Sequence, residues 1–280
     1  MRITRLSQGV DASGCLTGAA LERSYAVLHE YRGFMREARA DRGLLVATSA
    51  VRDASNGAEF LLEAGLITGV DCEILTGTQE ATYSYAGATA GLEPSSATTV
   101  ILDIGGGSTE MAMVDDGALR SYSMQLGCVR VTERALGRGV VTTEGQDAAR
   151  AMIEIELDNA FKAVPAFAGV AGAVRLVGLA GTVSTLAAMD AGLGTYDRSA
   201  VHHRRLSRAT VERWRERLAG EPPEVRLTHP GMVAGREDVL TAGLYILVAV
   251  MDRFGVDELL SSENDILDGI AASLLAGPGA

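Results

Sequence analysis

The sequence has 280 residues, 47% hydrophobic and 22% charged, enough for two ordinary domains with real cores, and no apolar run is long enough to cross a bilayer. A formal net charge of −11 argues against broad binding to nucleic acid or to an anionic membrane, so a polyanionic substrate has to be met by local arginines or by metal. Cys15, Cys72 and Cys128 form neither a zinc pattern nor a disulfide framework, and MRITRLSQGVDAS lacks the apolar core of a signal peptide, so the expected compartment is a reducing cytoplasm.

Arg2 to Gln8 reads as a short strand and Gly9 to Gly14 as a loop. Leu16 to Ala40 has helical periodicity, with Leu21, Tyr25, Leu28, Tyr31 and Met35 on one face. Gly43 to Thr48 reads as a buried strand, followed by TSAVRD and by Asn56, which is placed to cap a helix carrying Phe60, Leu61 and Leu62. Cys72 to Leu75 reads as another strand, and Thr76-Gly77-Thr78 turns into a helix opened by Gln79 and Glu80. Three strand–helix alternations predict an α/β layer. The polar stretch Gly91 to Thr98 marks the expected boundary between domains 1–91 and 92–280.

The stretch VILDIGGGSTE, Val100 to Glu110, then organises the chain. A buried strand ends near Asp103, and Gly105, Gly106 and Gly107 turn the backbone so that its N–H groups can approach an anion. Ser108 and Thr109 add hydroxyls, and the flanking carboxylates of Asp103 and Glu110 suit a hydrated Mg²⁺. The bland alternative is a tight hairpin, which needs neither three glycines nor two flanking acids. Met111–Val114 and Leu119–Met124 complete a β-meander. Helices are expected over 143–161, 207–218, 239–254 and 265–275, with strands at 174–179 and 259–260. The second strand-then-glycine turn, Leu179 to Ser184, echoes the first, and Gly181 and Thr182 form either an anion seat or a plain strand-to-helix turn.

Three further residues carry chemistry. A carboxylate at Glu80, in a first helical turn, is kept ionised and suits a group that deprotonates water, or it is an ordinary helix-stabilising acid. Arg52 follows a strand end, where a guanidinium takes phosphate bidentately or merely faces solvent. Asn56 either joins that anion or caps its helix, the cap being the simpler role. The run His202-His203-Arg204-Arg205 lines a polyanion channel or only precedes a helix, and Arg236 has no sequence signal tying it to a site.

Taken in order, LVATSAVRDASN, LTGTQEATYSYAG, ILDIGGGSTE, LAGTVSTLAA and ENDILDGIAASLL resemble the exopolyphosphatase and guanosine pentaphosphate phosphatase family over essentially the whole chain. The resemblance implies an α/β protein of two ribonuclease-H-like domains, of the actin, heat-shock ATPase and sugar kinase superfamily, with an interdomain cleft. It implies Glu80 as the catalytic base, Asp103 and Glu110 as Mg²⁺ acids, and Gly105, Gly106, Gly107 and Ser108 as the phosphate loop. It further implies Arg52 and Asn56 as a phosphate-contacting pair and Gly181 and Thr182 as a second loop. The implied substrate is inorganic polyphosphate or guanosine pentaphosphate, with a non-catalytic binding protein as the rival reading and a homodimer as the candidate assembly.

Members of that family open with a hairpin bearing D-x-G-x-N-S, and this sequence carries no such motif ahead of Arg2–Gln8. Asp11-Ala12-Ser13-Gly14 follows its strand in the wrong order to replace it. Either the start is misplaced or about thirty residues of strand and turn are naturally absent, and in the second case the expectation is a first sheet with an exposed edge and one wall of the phosphate site missing. The C-terminal extension of longer relatives is likewise not in the sequence, which points to the short two-domain type.

Overall fold

The protein is described here by a computed structural model covering residues 2–170 and 173–276. Its chain forms two compact units, one from Met1–Glu80 with Ile270–Ala280 and the other from Ala81–Gly269. The polar stretch after Gly91, expected as a boundary, connects two elements within the second unit, so this division and the expected one at 91/92 cut the chain at different places.

In the first unit, the expected strand at Arg2–Gln8 is instead a chain of turns closed by Gln8 N–H to Arg5 C=O and Val10 N–H to Ser7 C=O. Arg5 has a φ of 53°, which breaks an extended run, and no strand among the described residues pairs with this segment. The expected loop at Gly9–Gly14 holds a single helical turn, α1 (Val10–Ser13), between two left-handed glycines. Helix α2 (Gly18–Glu37) is capped by the Thr17 hydroxyl. Strand β1 (Leu44–Ala47) pairs in parallel with β2 (Asp71–Ile74), from Leu44 opposite Asp71 to Ala47 opposite Ile74. Between them lie α3 (Ser49–Arg52) and α4 (Gly57–Thr68).

The expected three alternations thus give two strands among the described residues, and β1 is half-buried except at Ala47. The core is correspondingly small: Val10, Leu16, Ala47, Val51, Phe60 and Ala64, with Tyr25 stacked on Phe60 at 5.6 Å. Helix α5 (Gly77–Thr89) runs on from this unit into the next.

The second unit is built on a six-stranded sheet. Strands β3 (Thr98–Ile104), β4 (Thr109–Asp115) and β5 (Ala118–Met124) form the expected antiparallel meander, with Asp103 opposite Glu110. A short helix α6 (Cys128–Val131) continues as a π-helical turn over Thr132–Leu136, neither of which the periodicity signals. Helix α7 (Thr143–Ala163), capped by Thr142, leads through α8 (Ala166–Gly169) to β6 (Val174–Leu179) and α9 (Ala180–Asp190). After α10 (Arg198–Val201) come β7 (Arg205–Ser207), α11 (Arg208–Ala219), capped by Ser207, and α12 (Pro223–Arg226). The apolar helix α13 (Leu240–Phe254), strand β8 (Glu258–Ser261) and α14 (Ile266–Ala276) complete the chain.

The strand order is β5-β4-β3-β6-β8-β7, with β3, β6 and β8 parallel to one another. A meander whose first strand continues into a parallel set is the ribonuclease-H-like arrangement expected from the resemblance. Alternation along β3 sends Val100, Leu102 and Ile104 into the main core with α7 and α13, and turns Ile101 and Asp103 to the face carrying Ala88 of α5. The carboxyl ends of β3, β6 and β8 lie at one edge of the sheet, where loops in such folds carry ligand sites. No helix among the described residues is long and apolar enough to cross a membrane.

Candidate active site

The loop after β3 is defined by where its carbonyls go. Gly105 N–H donates to Ser108 C=O at 3.0 Å and closes the turn. The carbonyl of Gly105 accepts from Cys128 N–H at 2.9 Å, and that of Gly106 from Val129 N–H at 3.0 Å and Arg130 N–H at 3.2 Å. The Gly107 carbonyl accepts from Arg130 Nε at 2.8 Å. The first amides of α6 are therefore spent on holding the loop's acceptors back. The amides of Gly106, Gly107 and Ser108 donate to no other described residue, which is the polarity an anion seat requires.

None of the three loop glycines is among the residues with a positive φ, so the turn they form does not depend on left-handed backbone. The tightest approach is at Gly127, where a Cβ would stand 2.3 Å from Gly106 O. The signal for this residue was present in LGCVR but is not local to the loop it supports.

Asp103 and Glu110 are cross-strand partners and so lie on the same face of the sheet, where directly opposed residues have Cβ atoms about 5 Å apart. Both are buried. Asp103 accepts from Ser84 Oγ at 2.8 Å, and Glu110 accepts from Ser123 Oγ at 2.7 Å. Burial pushes the Asp103 carboxyl up to about 6, against the pull of the Ser84 hydrogen bond and with help from the charge of Asp265. Asp265 is itself raised by burial, with Asp268 adding to it.

Two glycines bring these groups together. A Cβ on Gly87 of α5 would be 1.9 Å from Asp265 O, and one on Gly269 of α14 would be 2.1 Å from Tyr83 O. The two helices thus cross backbone to backbone, setting Ser84 and Asp265 beside the end of β3. Sequence reasoning placed Asp103 and Glu110 but assigned nothing to Ser84 or Asp265, although the latter stands within the quoted ENDILDG motif.

No group of three or more His, Cys, Asp or Glu side chains among the described residues is gathered closely enough to hold a metal by itself. Mg²⁺ does not require one, since it retains waters and takes one or two carboxylates together with substrate phosphates. Paired buried carboxylates, one with raised proton affinity, are hard oxygen donors with surplus negative charge, and they fit such an ion.

At the second loop, Ala180 has a φ of 60°, an unfavourable value for a residue with a Cβ, where β6 passes into α9. A Cβ at Gly181 would stand 1.5–1.9 Å from the Arg236 guanidinium, so the glycine leaves room for that side chain against the loop. Burial holds Arg236 below the usual arginine range, with Cys128 and Glu263 the acidic groups that act against this. Thr182 is turned away from the loop surface: its hydroxyl meets the Cys128 thiol and fills a notch at Gly243 of α13, where a Cβ would be 2.4 Å from Oγ1. What this loop offers an anion is therefore backbone amide and a covering arginine, not the threonine hydroxyl.

In the first unit, Thr76 and Gln79 form a reciprocal cap on α5: Gln79 N–H donates to Thr76 Oγ1 at 3.2 Å, and Thr76 N–H to Gln79 Oε1 at 2.9 Å. Glu80 follows in the first turn and is buried. Arg52, at the end of α3, donates from Nη1 to Leu75 C=O at 2.6 Å and lies 3.7 Å from Glu80 Oε2. The Arg52 and Glu80 singled out separately in the sequence are thus neighbours.

Asn56 corrects the expected helix cap. It makes no side-chain cap; its Oδ1 accepts from Leu16 N–H at 2.7 Å and its Nδ2 donates to Leu16 C=O at 3.0 Å, pinning the chain before α2 to the start of α4. The His202–His203 pair is a stacked couple at 3.8 Å, with His202 Nδ1 accepting from Glu263 N–H.

A ribonuclease-H-like sheet bearing an amide-lined loop, opposed buried acids and a covering arginine at the carboxyl ends of its parallel strands defines a phosphoryl-handling protein. Residues 1–276 match the Ppx/GppA phosphatase family, and the chain belongs to it. It is 36% identical over 282 residues to exopolyphosphatase 2 of Mycobacterium tuberculosis, covering 98% of this chain and 87% of that protein. Among solved structures, it superposes on an exopolyphosphatase-like protein with a TM-score of 0.91 at 34% identity, covering 98% of this chain and 89% of the other. The Aquifex aeolicus member of the Ppx/GppA family gives a TM-score of 0.78 at 28% identity, over 100% of this chain and 89% of that one.

Proposed function

We propose that this chain is an exopolyphosphatase, releasing terminal orthophosphate from inorganic polyphosphate by attack of water. The observation that carries the reading is the loop at 105–108, whose carbonyls are tied back onto α6 and Arg130 while its amides remain available to a phosphoryl group. Membership of the Ppx/GppA family and the exopolyphosphatase name of its 36%-identical relative support the same reading.

In this mechanism Glu80 accepts a proton from the attacking water. The water oxygen forms a bond to the terminal phosphorus, the bridging P–O bond breaks, and a chain shorter by one phosphate leaves. The amides of Gly106, Gly107 and Ser108 hold the phosphoryl oxygens, and the guanidinium groups of Arg52 and Arg236 share their charge. Asp103 and Glu110 would hold Mg²⁺, which when bound neutralises phosphate charge.

The test is Glu80→Gln. Orthophosphate release from polyphosphate should fall by about a hundredfold to ten-thousandfold, the range a general base supplies, while the circular dichroism spectrum stays that of the parent. Release near the parental rate would overturn the proposal. Guanosine pentaphosphate assayed alongside separates the two substrates, since the reading expects polyphosphate to be the faster.

A further inference from the structure

Arg52 and Glu80 have been given separate tasks, one on phosphate and one on water, yet they are paired to each other. Resting on those two roles, we infer that Arg52 changes partners: it is paired with Glu80 in the empty protein and exchanges that carboxylate for the terminal phosphate, so that the base is released only when substrate is present.

The geometry suits an exchange. Arg52 Nη1 is fixed by Leu75 C=O at 2.6 Å, a backbone acceptor that follows β2 and does not depend on Glu80. The same nitrogen is 3.7 Å from Glu80 Oε2, too far for a hydrogen bond, so Arg52 acts on that oxygen through charge. Arg52 Nε and Nη2 donate to no other described residue, which leaves one edge of the guanidinium fork open to a bidentate acceptor. A quarter of the Arg52 side chain is exposed, against 9% of that of Glu80, so an incoming ligand meets the cation before the base.

Electrostatics gives the exchange a consequence. A guanidinium beside a carboxylate favours its ionised form and weakens it as a proton acceptor. A terminal phosphate carries more negative charge than the carboxylate and offers two oxygens in the fork's geometry. Drawing Arg52 onto phosphate relieves Glu80 of its counter-charge when the attacking water needs a base. The Leu75 carbonyl serves as the pivot in both states.

The exchange is tested with a methylene-bridged triphosphate, which binds as a polyphosphate end and is not cleaved. Its affinity is measured by calorimetry for the parent, Glu80→Gln, Arg52→Gln and the double variant. If Glu80 competes for Arg52, Glu80→Gln should bind the analogue about threefold to tenfold tighter, and this gain should shrink below about twofold in the Arg52→Gln background. An equal gain in both backgrounds is simple charge repulsion and overturns the inference, as does the absence of any gain with Arg52 present.

Should Arg52→Gln fail to fold, Arg52→Lys replaces it. It keeps the charge but loses the fork, and the gain from Glu80→Gln should fall to an intermediate value; an undiminished gain would overturn the inference. The cycle reads binding alone, so it is distinct from the turnover test of Glu80 as the base.

Discussion

The two units hold their candidate residues in different ways. In the second, the loop at 105–108 is fixed by hydrogen bonds to three of its carbonyls, Asp103 and Glu110 sit in a sheet, and Gly87 and Gly269 bring two helices to backbone contact. In the first, Arg52 and Glu80 hang from two four-residue strands over a core of six buried residues. There, position is set by a few polar links: Asn56 to Leu16, Arg52 to Leu75, and Thr76 to Gln79. The contrast teaches that a preorganised anion seat needs close packing, which punishes any added atom. A pair that exchanges partners needs only a pivot.

The strongest way to break this comparison is Gly127→Ala. Its Cβ would press on the Gly106 peptide at 2.3–2.4 Å, a backbone neighbour that cannot rotate away. We expect a loss of about 1–3 kcal/mol in stability from overpacking. Phosphate release should fall by about a hundredfold, because the seat itself is displaced. Denaturant unfolding and a phosphate-release assay check both, and a fully active Gly127→Ala protein would show that the loop is not held as described.

Asp103→Asn sharpens the comparison by separating packing from charge. The carboxyl is raised to about 6 in the fold, above the ordinary aspartate range. Its ionisation is therefore penalised by folding: the penalty is absent below about pH 4, grows as pH rises to about 6, and is complete above that. Asparagine retains an acceptor for Ser84 Oγ and carries no charge. The metal-free variant should be more stable than the parent at pH 7 by on the order of 1–3 kcal/mol, with the advantage gone at pH 4. Its phosphate release should be lost. Equal stability of the two proteins at pH 7 would mean that the buried carboxylate bears no penalty.

The mildest effect belongs to the first unit. Asn56→Ala removes both links to Leu16 and should cost about 1–2 kcal/mol. The loss should appear as faster amide exchange over α1 and the start of α2 and α4, with the sheet of the second unit unaffected. Faster exchange throughout the second unit would show that the two regions do not differ in the way described.

Much of this protein was legible in one dimension. The meander, the glycine turn after β3 and the apolar helix α13 follow from periodicity and from the conformational habits of single residues, which act over a few positions. The misreadings fall where a local signal had no tertiary partner. Arg2–Gln8 has a strand's composition but pairs with no strand among the described residues, and Asn56 has a cap's composition but finds better partners forty residues away in Leu16.

What the sequence by itself determined was the set of elements and the chemistry at the end of β3, because strand, turn and opposed acids are contiguous there. Only the tertiary structure decided which distant residues meet: in the second unit Gly127 beneath the loop, Ser84 and Asp265 around Asp103 and Arg236 over Gly181, and in the first unit Arg52 against Glu80. The reason is physical. Backbone propensity and side-chain alternation are encoded between neighbours in the chain, whereas a missing Cβ or a buried charge acquires its meaning only from an atom that folding brings to it.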